Sequence, residues 1–286
     1  MTMKIFAITL ACISATIPTF ANVVKITYPD WPEGVLLTHM AASVLEDKMG
    51  YEVKLTLADP EVIYDSVATG TQDVYLDAWL PFTHSLYWEK HAFNLERLGT
   101  VIQRARIGLA VPTYVEVDSI NDLNEHRAAL DGKIIGIEED AGITTMTNRA
   151  IDEYKLEFKQ INSGSAAMTT ALERAIAAKK PIVMTGWTPH WMFARYELKM
   201  LQDSKNVYQP DGIRKFARLG FSEDFPDANR FLKRFALTEE QLNALLLEIH
   251  DAKQSQDVII DNWLSANADI VEAWIAPEKK WWQKIF

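Results

Sequence analysis

Three of the nine tryptophans, Trp31, Trp79 and Trp187, fall where the residue pattern turns from strand to loop. In open α/β sheets a ligand lies beyond the carboxyl ends of the strands, so tryptophans at three such places predict aromatic walls around one site. The chemistry open to such walls is narrow. A trimethylammonium group has no N–H to donate, so hydrogen bonds cannot hold it; its diffuse charge is drawn instead to the negative face of an indole, and its methyls are apolar. Several indoles together pair the cation and desolvate it, whereas a compact, strongly hydrated ammonium would lose more hydration on entry. Taken singly, a tryptophan more often fills a core. Core packing is the expectation for Trp88, Trp263, Trp274, Trp281 and Trp282, and Trp191, close after Trp187, is open to either role.

Two local motifs add polar partners. Asp77-Ala78-Trp79-Leu80-Pro81-Phe82-Thr83-His84 sets a tryptophan and a histidine at opposite ends of a short proline-containing turn, and Gly186-Trp187-Thr188-Pro189-His190-Trp191-Met192-Phe193 does something similar further along. His84 is a candidate ligand contact. His190 reads as a helix-start residue that orients Trp187, and Asp77 as a hydrogen-bonding neighbour rather than a catalyst. The sequence has no G-x-S-x-G, H-E-x-x-H or glycine-rich phosphate loop, and its six histidines show no zinc spacing. The reading is a non-enzymatic binding protein with no cofactor and no metal. An exported α/β enzyme acting on a small zwitterion is the rival from another class, and an exported interaction domain is the third.

The formal charge is −10 at pH 7, and Lys4 is the one charged residue of segment 1–21, which leaves the remainder near −11. That balance disfavours nucleic acid and anionic membrane surfaces, which need clustered Lys and Arg. A small cationic, zwitterionic or neutral solute is the expected partner. Segment 1–21 carries Lys4, an apolar run over 5–17 and then Pro18-Thr19-Phe20-Ala21, the layout of a secretory signal cleaved after about Ala21. The run falls short of the roughly 20 apolar residues that span a bilayer. Cys12, the single cysteine, lies inside it. Thr9 stands where a lipoprotein signal prefers Leu, so lipidation is disfavoured, and a periplasmic protein without disulfides is expected.

These residues need a scaffold that brings distant loops together. Alternating β-branched residues over 23–28 predict a strand; a helix over 35–49 stopped by Gly50, a strand over 51–57, a helix over 61–69 and a strand over 73–76 follow. The same unit recurs: strands over 106–111, 133–137, 158–161 and 182–184, with helices near 120–126, after Gly142 and over 166–178. Strands alternating with helices imply a mainly parallel sheet. From about 223 to 274 the period is helical, with Leu242, Leu245, Leu246 and Ile249 on one face. Chain crossings near 103–106 and 209–212 would make a hinge between two lobes, 22–105 joined by the return 211–286, and 106–210.

Residues 70–84, Asp140-Ala141-Gly142-Ile143 and residues 186–199 carry a resemblance to a known family. The chain resembles the substrate-binding proteins of ABC importers for glycine betaine and related compatible solutes, over nearly all of its length beyond residue 21. The resemblance implies an α/β, two-lobed periplasmic-binding-protein fold of type II character, with a hinge and a cleft between the lobes. It implies an aromatic cage matching Trp31, Trp79 and Trp187, a carboxylate held by the backbone N–H groups of Gly142 and Ile143 and by His84, a monomer, and delivery to a membrane permease. The residues agree in one respect: Gly142-Ile143 would open a helix, where free N–H groups favour an anion. A choline or carnitine binder of the same fold is the alternative, because Tyr28-Pro29-Asp30-Trp31-Pro32-Glu33 is more acidic and proline-rich than the family pattern, and Asp30 or Glu33 could meet a hydroxyl or the cation. Solvation is the expectation for both acids.

Overall fold

The computed structural model describes residues 22–278. The expected signal segment 1–21 with Cys12, and Trp281 and Trp282, lie outside the described residues.

The chain opens with strands β1 (Val23–Tyr28), β2 (Glu52–Leu57) and β3 (Val74–Leu80), with helices α1 (Pro32–Ser43) and α2 (Pro60–Ala68) between them. Both neighbours of β1 run parallel to it. Each helix has proline in its first turn behind an extended cap residue, Trp31 or Asp59, a position where the missing N–H has no partner to lose and the ring presets φ. A π-helical turn, Val44–Lys48, extends α1 to Gly50, whose φ of +73° only glycine adopts freely.

Helix α3 (Ser85–His91) leads to β4 (Leu95–Pro112), a strand of 18 residues. Then come β5 (Lys133–Ile135), α4 (Gly142–Tyr154), β6 (Lys159–Ile161), α5 (Ser165–Ala177), β7 (Met184–Thr188), α6 (Trp191–Arg195) and β8 (Leu198–Met200). Strand β9 (Asp211–Arg218) precedes a helical tail: α7 (Phe221–Asp224), α8 (Pro226–Arg234), α9 (Glu239–Asp251), α10 (Gln256–Ala266) and α11 (Ala268–Ile275). The strand order is β2-β1-β3-β9-β4-β7-β5-β6, with β8 also on β4.

One strand serves two sheets. From Leu95 to Ala105, β4 pairs antiparallel with β9; from Arg106 to Ala110 it pairs antiparallel with β7. The change falls between Ala105 and Arg106, and β9 begins at Asp211, directly opposite Ala105. An apolar core runs from the helical tail through both sheets and takes in Trp31, Trp79 and Trp187. On α9, Leu242, Leu245 and Leu246 are buried and Ile249 packs against them from the edge.

Several elements depart from the pattern. Strand β3 runs on to Leu80 with every residue buried, so Trp79 is on the strand and not in the loop after it; Trp187 likewise lies within β7. A strand covered on both faces does not alternate, which hides its end. Helix α1 starts at Pro32 rather than 35, and 120–126 is a 3₁₀ helix. No helix among the described residues is long and apolar enough to cross a membrane.

Candidate functional site

Trp31, Glu33, Trp79, Thr83, His84, Ile107, Ile137, Ala141, Gly142, Ile143 and Trp187 line one narrow cavity where the two sheets meet. It brings together all six residues singled out from the sequence. Trp88, Trp191, Trp263 and Trp274 stay out of it: Trp88 lies under Arg97, Trp191 stacks on His250 with ring centroids 3.5 Å apart, and Trp263 stacks on Trp274.

Each indole is held by a different device. Trp31 caps α1, and its N–H donates to Glu138 Oε2 at 3.2 Å, across from the first sheet to the second. Trp79 is fixed by its strand, and its N–H donates to Asp77 Oδ1 at 3.1 Å. Trp187 has the His190 ring edge-on at 4.6 Å; His190 in turn accepts the Met192 N–H and caps α6. Asp77 and His190 are thus neighbours that aim indoles.

The polar groups of the cavity come from two loops. His84 Nδ1 accepts the Trp79 backbone N–H at 3.1 Å, which places the ring proton on Nε2. That atom is buried and has no partner in the protein. Burial lowers the His84 pKa to about 3, so the ring is a neutral donor near pH 7. Opposite it, Gly142 and Ile143 are the first residues of α4, whose N–H groups have no intrahelical acceptor and favour an anion.

The two loops touch. A methyl on Gly142 would lie 2.6 Å from Thr83 Cγ2 and closer still to the Thr83 carbonyl oxygen. Thr83 is itself pinned by Asp211, whose carboxylate accepts the Phe82 N–H at 2.7 Å, the Thr83 N–H at 3.0 Å and the Thr83 hydroxyl. The Tyr87 hydroxyl donates to the Asp140 carbonyl at 2.6 Å beside this contact. Asp211→Asn removes part of a charge-assisted clamp, with hydrogen bonds to charged groups contributing about 1.5–3 kcal/mol each. It is expected to weaken ligand binding about tenfold in a tryptophan-fluorescence titration.

Glu33 corrects the expectation that it is solvated. It sits in the first turn of α1, fully buried, with neither carboxyl oxygen hydrogen-bonded. Burial pushes its pKa up to about 7; the Trp187 N–H, which approaches without reaching hydrogen-bond geometry, opposes that rise. Beside it, Asp77 is driven well above the carboxylate range by burial first and by the Glu33 charge second. Asp30 is exposed, on an outer groove. The available signal for Glu33 was Pro32, which starts the helix early and turns the next residue inward.

The family described as the substrate-binding domain of ABC-type glycine betaine transport systems matches residues 22–266. A glycine betaine/carnitine transport binding protein of Listeria monocytogenes is 38% identical over 166 residues, 57% of this chain and 54% of that protein, so the match spans about half of the relative's length. Among solved structures, lactococcal OpuAC in its closed form with glycine betaine superposes with a TM-score of 0.84 at 33% identity, covering 88% of this chain and 99% of that one. A glycine betaine/L-proline-binding protein from Borrelia burgdorferi gives 0.85 at 27% identity, covering 90% and 97%.

Proposed function

The chain belongs to the substrate-binding family of ABC-type glycine betaine transport systems, and from that premise we propose that it captures glycine betaine, or a related quaternary-ammonium osmolyte, outside the cytoplasm and delivers it to a membrane permease. The observation that carries this reading is one cavity lined by three indoles, by the buried and unpartnered Nε2 of His84 and by the first residues of α4. The onium head would lie among Trp31, Trp79 and Trp187; the carboxylate would take the N–H groups of Gly142 and Ile143 and the Nε2 proton of His84. A desolvated cation–π contact contributes about 2 kcal/mol, three about 6, and each hydrogen bond to a carboxylate about 1.5–3. After the losses of association, a dissociation constant of about 1 μM is attainable.

Residues 22–105 with 211–286 would form one lobe and 106–210 the other, hinged where β4 changes sheets and β9 begins; the pairing of Ala105 with Asp211 supports this division. Opening would separate Trp31, Trp79 and His84 from Trp187, Gly142 and Ile143, and the ligand's two charged ends would draw the halves together. Glu33 favours a second reading, a ligand without its own carboxylate such as choline, since a buried acid can serve as the counter-charge. Calorimetric titration of the purified protein with glycine betaine, choline, carnitine and proline betaine separates the two. Saturable heat is expected with glycine betaine, and a flat response to all four would end the proposal.

A further inference from the structure

Glu33 lines the cavity, and the carboxyl of Asp77 lies close enough to feel its charge. Glu33 comes from α1 and Asp77 from β3, and both are fully buried. Strand β3 is bulged between Tyr75 and Ala78, which re-aims the intervening residues, and Gly34 leaves the room: a methyl there would stand 2.7 Å from Asp77 Oδ2. Of the four carboxyl oxygens, Asp77 Oδ1 takes the Trp79 N–H, while Asp77 Oδ2 and both oxygens of Glu33 have no donor.

The groups around the pair do not supply a positive charge. The second helix contributes the Tyr64 hydroxyl and β3 that of Tyr75, both phenols held protonated by burial and by the Asp77 charge. From β7 comes the Trp187 N–H, also without a partner, and after β3 comes His84, neutral. Asp211 lies near enough to act on Tyr64 and adds no positive charge. Among the described residues neither carboxyl forms an ion pair with Lys or Arg. Two adjacent carboxylates in a dry site do not both ionise, and burial raises the pKa of each, that of Glu33 to about 7. A vacant cage near neutral pH therefore retains a proton.

We propose that this protein exchanges a proton for its ligand: an onium head entering the cage displaces the proton held by Glu33, and the freed carboxylate becomes the counter-charge of the onium. The proposal rests on the reading of the cavity as an onium trap. One O–H bond breaks and its proton leaves to solvent as one fixed positive charge arrives. The ligand's own carboxylate does not reclaim the proton through His84, because the Nδ1 lone pair of that ring is committed to the Trp79 N–H. The sign follows: the free protein holds the proton and the complex does not, so affinity rises with pH, about tenfold per pH unit below 7, and levels off above it.

Calorimetry with glycine betaine in two buffers of different ionisation enthalpy reads the exchange directly. Between about half a proton and one proton released per ligand is expected near pH 6, and close to none near pH 8.5. Glu33→Gln, a neutral isostere, is expected to release none and to bind with an affinity that no longer varies with pH. Saturable binding near pH 6 with no exchange, net proton uptake, or undiminished release from the Glu33→Gln variant would each overturn the proposal while leaving ligand capture standing. If the variant does not fold, the titration of the unaltered protein decides alone. Failure of every onium ligand to bind would instead remove the trap itself, and this proposal with it.

Discussion

Gly142→Ala is expected to leave the protein folded and to weaken glycine betaine binding about a hundredfold or more. The added methyl meets the Thr83 Cγ2 at 2.6 Å and its carbonyl oxygen still more closely. Thr83 cannot give way, since the Asp211 carboxylate holds its N–H, its hydroxyl and the preceding N–H. The clash exists only while the α4 loop and the Thr83 loop are in contact, so the open form is unaffected and the closed form is penalised. Denied closure, a ligand held by Trp31, Trp79 and His84 would lose the Trp187 face together with the N–H groups at the start of α4. At about 1.4 kcal/mol per factor of ten, losing one cation–π contact and one charge-assisted hydrogen bond accounts for at least a hundredfold. Isothermal calorimetry measures the affinity, and small-angle scattering with saturating ligand shows whether the variant keeps the larger radius of an open form. Normal affinity would mean that the two loops do not close on each other around the ligand.

Trp187→Ala is expected to weaken binding by well over tenfold through a different cause. It removes a face of the cage, worth about 2 kcal/mol to a desolvated onium, and lets water reach the cation. The same ring is buried in the core, and truncating a buried tryptophan costs about 3–5 kcal/mol of stability, so the titration belongs well below the variant's melting temperature, with circular dichroism as a check. Trp187→Phe separates the two effects. Phenylalanine fills much of the space but presents a weaker quadrupole, so stability should largely return while affinity recovers only in part. Equal affinity for Trp187→Phe and the unaltered protein would argue that the ring acts by volume alone.

The residues that line the cavity were legible because they are rare types set beside local punctuation: Trp79 before Pro81, Trp187 before Pro189, Gly142 at a helix start. What places them was harder to read. Strand β3 is buried on both faces and so lacks the alternation that marks a strand. The first half of β4 is broken by register shifts, one of them at Gly99 with φ +98°, and its pattern reads as irregular although its pairing with β9 is continuous in space. Glu33 was taken for a solvated acid because sequence alone offers no reason to bury a carboxylate without a partner. Only the packing of α1 against β3 and Trp187 makes it part of the site, and tertiary context of that kind has no local signature.

The place of β9 in the first sheet has a consequence for how the protein is made. It lies between β3 and β4, yet it is the last strand among the described residues, 131 residues after the end of β3 by the numbering of Leu80 and Asp211. Until residue 218 has left the ribosome, both neighbours lack the partner that completes them, and pairing over such a separation is intrinsically slow. The delay leaves β3 and β4 each with an unpaired edge through most of synthesis, so the first sheet locks only once nearly the whole chain is available.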